Sequence, residues 1–123
     1  ERYAAAAGGL PNEPKVLLEW ASVCLQEKHY QPETAWKVCR RIFTCREELA
    51  RRGLEAEAIK IILSAAAGLG LAAILGGEDE ESRHILAWAL SVVDAAREKL
   101  KPQELFDQYG VVYPDNLPPG WRT

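Results

Sequence analysis

The chain has 123 residues, 48% of them hydrophobic and 27% charged, with a formal net charge of −3. That length fits one domain with one core, and the composition excludes global disorder. The acidic balance excludes a basic field over the whole protein, so nucleic-acid binding would need a local patch.

In chain order, "ERYAAAAGG" reads as a short helical piece broken by Gly8-Gly9. No basic segment followed by an apolar one opens the chain, so no signal peptide is expected. The sequence contains no Met, and Glu1 reads as a trimmed or processed start. A helix is expected from about residue 13 to 30, with Asn12 as N-cap and Pro14 in the first turn. Leu17, Trp20, Ala21 and Cys24 form its apolar stripe, and Lys15, Glu19, Ser22 and Gln26 its polar one.

Pro32 restarts the chain. Ala35, Val38, Cys39, Ile42, Cys45 and Leu49 keep helical spacing as far as Arg52, and Gly53 is placed for a left-handed cap. Glu33 with Lys37, Glu47 with Arg51, and Glu48 with Arg52 are i,i+4 pairs in the favourable order. A third helix runs from about Leu54 to Leu75 and closes at Gly76-Gly77. A fourth begins in "EDEESRHILAWAL", with acidic residues in its first turn and Arg97, Lys99 and Lys101 near its end, as the helix dipole favours. "PQELFDQYG" is a short fifth helix, and "VVYPDNLPPGWRT" an extended, Pro-rich tail that could lie on the bundle surface. All seven prolines fall between or at the ends of these elements. The expected fold is therefore all-α: a bundle of four long helices plus a short fifth over residues 1–110, then the tail at 111–123. Leu63, Ile74, Ile85, Trp88 and Val92 are expected in its core.

The uncharged stretch "IILSAAAGLGLAAILGG", residues 61–77, admits three readings. As a membrane span it reaches about 25 Å, short of a hydrocarbon core of about 30 Å, and Lys60 and Glu78 bound it. As a phosphate loop it lacks a preceding strand and a following Lys-Ser or Lys-Thr. As the buried helix of a bundle it explains the loss of the polar stripe after Ser64. Ser64, Gly68, Ala72 and Gly76 then form a small-residue ridge for close packing. An interior Gly costs about 1 kcal/mol relative to Ala, so two of them need close packing or a deliberate break at Gly68-Leu69-Gly70. The buried helix is the expected outcome, with no membrane span.

Candidate chemistry is sparse. Cys24, Cys39 and Cys45 are odd in number and widely spaced, which argues against a disulfide framework and for a reducing, cytoplasmic compartment. With His29 and His84 they offer no metal-ligand spacing, and they read as buried thiols beside polar helix-end histidines. Cys45, next to Arg46, is the better nucleophile candidate but lacks a paired His. Glu78 to Glu81 fit a helix-start acidic cluster better than a cation site. No catalytic constellation, metal site, cofactor or small-molecule substrate is expected.

"KVCRRIFTCREELARR" is the main polar feature. Lys37, Arg40, Arg41 and Arg46 exceed the carboxylates of their own helix, so the face is expected to be exposed. It can be a solvated, salt-bridged face, a phosphate-backbone contact without sequence specificity, or a surface for an acidic protein.

"GLGLAAIL", Gly68 to Leu75, followed by "RHILAWAL", Arg83 to Leu90, resembles the small all-helical subunit of type III-B CRISPR effector complexes, and "ERYAAAA" is similar to that family's first helix. The resemblance implies a non-catalytic scaffold subunit of an RNA-guided ribonucleoprotein in antiviral defence. Such a subunit would stack with itself and with other protein subunits and support RNA through basic residues, here Lys37, Arg40, Arg41 and Arg46. The alternative is a self-associating helical protein-interaction module with no nucleic-acid role.

Overall fold

Prolines start helices here because a missing N–H costs nothing in a first turn. Pro14, Pro32 and Pro102 each occupy the first position of a helix. The computed structural model describes residues 13–110; the first helical piece and the tail from Val111 lie outside the described residues, and the N-cap of the first described helix is Glu13, whose carboxylate accepts from the Lys15 N–H at 3.2 Å, in place of the expected Asn12. Helix α1 spans Pro14–Cys24, α2 Pro32–Thr44, α3 Arg46–Arg51, α4 Glu55–Leu69, α5 Leu71–Gly76, α6 Glu80–Arg97 and α7 Pro102–Tyr109. A 3-10 turn at Glu27–His29 links α1 to α2, and there is no strand among the described residues. The fold is all-α. Helices α1, α2, α4 and α6 are the four long ones and α7 the short fifth; α3 and α5 arise where two expected helices break.

The first helix is shorter than its periodicity implied. It ends at Cys24, where the Leu25 and Gln26 N–H groups donate to Ser22 and Val23 carbonyls at 3.1 and 3.2 Å. The reason is burial: the stripe Leu17, Ala21, Cys24 would next present Lys28, so a further turn has nothing to bury. Gln31 N–H donates to the Cys24 carbonyl at 2.7 Å and turns the chain back.

The second expected helix breaks at Cys45. In a continuous helix the Cys45 N–H would donate to the Arg41 carbonyl. Instead the Thr44 hydroxyl (2.6 Å) and the Cys45 thiol (3.2 Å) both donate there, and the Cys45 N–H tightens onto the Ile42 carbonyl at 3.1 Å. Side-chain donors thus compete with the helical ladder. Gly53, at φ +72°, provides the expected left-handed cap after α3. Arg52 pairs with Glu13 at 3.2 Å, which sets α1 antiparallel to the α2–α3 run.

The third expected helix breaks at Gly70, and each glycine of Gly68-Leu69-Gly70 has its own task. Gly70 takes φ +96°, closed to side-chain-bearing residues without strain, and separates α4 from α5. Gly68 is needed for space: a Cβ there would collide with the Tyr30 hydroxyl and stand 2.8 Å from Pro32 Cβ.

Helix α4 packs against every other α-helix among the described residues. It buries Ala58, Ile59, Ile61, Ile62, Leu63, Ala65 and Ala66. The buried-helix reading of the uncharged stretch therefore holds for α4, and no helix among the described residues is long and apolar enough to cross a membrane. Its fully buried Ile59 and Ile62, with Leu17, Ile42 and Ile85 from neighbouring helices, contribute about 1.5–3 kcal/mol each.

Two expectations about burial need correction. Leu63, Ile74 and Ile85 are buried, but Trp88 and Val92 are only half-buried, packed against the flank of the core. More consequentially, burial does not continue along residues 67–77. Of these Ile74 alone is buried, while Ala67, Gly68, Ala72, Ala73 and Gly76 are exposed. After the break at Gly70, α5 packs chiefly on α6 and the end of α4, leaving its outer face uncovered, whereas Ala67 and Gly68 are exposed before the break, in the last turn of α4.

Candidate interaction surfaces

The four candidate cations, Lys37, Arg40, Arg41 and Arg46, do not form one open patch. Arg40 points across the bundle to the start of α6. Its guanidinium bonds both carboxylate oxygens of Asp79 and, at 2.8 Å, Glu81 Oε1. Asp79 is simultaneously the N-cap of α6, accepting from the Ser82 N–H at 3.2 Å. The Ser82 hydroxyl donates to Asp79 Oδ2 (3.0 Å) and accepts from Arg40 Nη2 (3.2 Å) and from the buried Trp36 indole N–H (2.8 Å). The Arg40 hydrogen bonds, with those of Ser82, hold the Asp79 carboxyl well below the usual carboxylate range. Asp79 and then Glu81 raise the Arg40 guanidinium still further. This clasp fastens α2 to α6. It corrects the expectation that Arg40 projects freely from the bundle: Arg40 is half-buried and neutralised by carboxylates 39 and 41 residues away.

Arg46 folds back on its own neighbourhood. Its Nη1 donates to the Phe43 carbonyl at 2.8 Å, and its Cζ lies 4.1 Å over the Phe43 ring. Phe43 in turn meets Trp88 at 5.8 Å between centroids, tilted by 58°. Arg46, Phe43 and Trp88 form a cation–π and aromatic ledge joining the α2–α3 junction to α6. Lys37 and Arg41 are exposed, one turn apart on α2. The end of the basic run is largely self-neutralised. Glu48 takes both Arg51 and Arg52, and this holds its carboxyl below the usual range; Arg52 also reaches Glu13. The expected Glu48–Arg52 pair forms, and Arg51 chooses Glu48 over Glu47.

The thiols are poor nucleophiles as placed. Burial, then the neighbouring Cys24, pushes the Cys39 thiol up to about 12. Burial also raises Cys24 and Cys45. His29 and His84 are exposed, His84 standing 4.0 Å from Glu80. Among the described residues no group of three or more His, Cys, Asp and Glu side chains is gathered to hold a metal, and Asp79 and Glu81 of the acidic cluster are committed to Arg40.

Sequence reading missed two features. The clasp had a local signal, Asp79 three residues before Ser82 at a helix start, but nothing local announces Arg40 and Trp36 as their partners. The exposed, uncharged face of Ala67–Gly76 looked like core because composition cannot show that a helix is redirected. This chain matches no family model, no curated protein and no solved structure.

Proposed function

We propose that this chain is a non-catalytic helical module that works by self-association, packing the Ala67–Gly76 face of one copy against that of another. The observation that carries the reading is the outer face of α5 and the end of α4. Ala67, Ala72, Ala73 and Gly76 are exposed in a run without a single charge, while Gly68 beside them is already met by Tyr30 and Pro32. Small residues let backbones approach closely, and an uncharged face meets its own copy without repulsion, as a two-fold interface requires. The raised thiols and the carboxylates committed to arginines agree with a role in binding rather than in chemistry.

A second reading, a scaffold subunit of an RNA-guided ribonucleoprotein, is favoured by one observation: Lys37 and Arg41 are exposed on one stripe of α2. The resemblance carried by Gly68–Leu75 and Arg83–Leu90 supports it. Arg40 counts against it, since Asp79 and Glu81 already neutralise its charge.

Sedimentation across a concentration series tests the first reading. The parent should associate reversibly, and Ala72→Glu with Ala73→Glu should hold it monomeric without lowering its melting temperature, because both sites are exposed. A parent that stays monomeric at every concentration would overturn the proposal. Single-stranded RNA bound at low salt, and lost with Lys37→Ala and Arg41→Ala, would then establish the second reading.

A further inference from the structure

A groove of about 490 Å³ opens along α4 where the last turn of α1 passes it. Leu25 and Ile61 give it apolar surface; Ser22, Gln26, Glu57, Lys60 and Ser64 line it with polar groups, the Glu57 carboxylate one turn from the Lys60 ammonium. Helix α7 ends beside it. Gly110 takes φ +70° as a left-handed cap, and a Cβ built there would stand 2.8 Å from Cε of Lys60, one of the lining residues. The chain therefore leaves α7 at the wall of the groove.

We propose that this groove is the docking site of the chain's own C-terminal segment, with Val111 and Tyr113 seated on Leu25 and Ile61. The next residues are Val111, Val112 and Tyr113, followed by Pro114. Two β-branched residues and an aromatic favour extended backbone, and the proline pushes Tyr113 the same way. Extended backbone places alternate side chains on one side, so Val111 and Tyr113 face the groove together. Three extended residues reach at most about 11 Å. Lys60 to Ser64 along α4 is about 6 Å, so the segment can cover the groove from its point of exit. An extended strap also brings backbone N–H and C=O groups that need partners, and the Ser22, Gln26 and Ser64 side chains offer donors and acceptors. This inference does not rest on the self-association proposed above.

The test is nuclear magnetic resonance on the full chain and on its Tyr113→Asp variant, each at two protein concentrations about tenfold apart. Docking predicts that the variant moves the resonances of Ser22, Leu25, Ile61 and Ser64, by the same amounts at both concentrations. A second variant ending at Gly110 should move the same set. Shifts confined to the few residues around the substitution, with the groove resonances unmoved, would overturn the proposal. Groove shifts that grow with concentration would overturn it too, by making a second copy the occupant.

Discussion

Replacing Ser82 by Ala removes the acceptor of the Trp36 indole N–H, a 2.8 Å bond between two residues that are 5% and 7% exposed. Water has little access to the orphaned donor. An unsatisfied buried donor costs about 1–3 kcal/mol, more than the net worth of the bond itself. For a chain of this size that corresponds to a melting temperature lower by roughly 3–15 °C. The Ser82 hydroxyl also touches Asp79 and Arg40, so the single substitution reports more than one contact. A double-mutant cycle with Trp36→Phe isolates the Trp36 part. Once Ser82 is Ala, removing the indole N–H takes away a group that is already unpaired. Trp36→Phe should therefore cost less in that background than in the parent, by at least about 0.5 kcal/mol. Urea denaturation of the four proteins measures this directly. Additivity within about 0.3 kcal/mol would refute the clasp as a coupled structure.

The two glycines of the α4–α5 break should fail for different reasons. Gly70→Ala has no close neighbour nearer than Ala73 Cβ at 3.8 Å, so its cost is backbone strain of about 1–3 kcal/mol. Gly68→Ala meets Tyr30 and Pro32 instead, so Tyr30→Ala should recover part of its loss in a thermal melt and none of the loss at Gly70. Asp79 gives the clasp a pH signature. Its folded carboxyl is depressed, so its contribution is complete above the unfolded carboxylate range and fades as pH falls through and below that range. Asp79→Asn should flatten the acid limb of stability measured against pH. A thiol reagent near pH 8 should modify half-buried Cys45 before Cys24, with Cys39 reacting only on unfolding, since burial pushes its thiol up to about 12. Mass spectrometry of the timed reaction reads the order.

Helix existence was legible because it depends on local chemistry. Pro14, Pro32 and Pro102 mark first turns, Gly53 a left-handed cap, and the apolar stripes of α2 and α6 have helical period. The uncharged stretch was recognisable as core only as far as Ala66 in α4; the loss of the polar stripe past Ser64 suggested burial further on, where the face is in fact exposed. Helix lengths were less legible, because they turn on what a further turn would bury: α1 stops where Lys28 would come next, and α2 where Thr44 and Cys45 claim the Arg41 carbonyl. The fate of Arg40 was decided by tertiary structure alone. Within its own helix it had too few carboxylates, and Asp79 and Glu81 reach it only because α6 starts against α2. Likewise the face of Ala67–Gly76 is uncharged by sequence, but its exposure is set by packing, since α5 after the break at Gly70 rests chiefly on α6 and the end of α4. Periodicity and caps are properties of neighbouring residues. Neutralisation and exposure are properties of what the fold brings near, and no spacing along the chain encodes them.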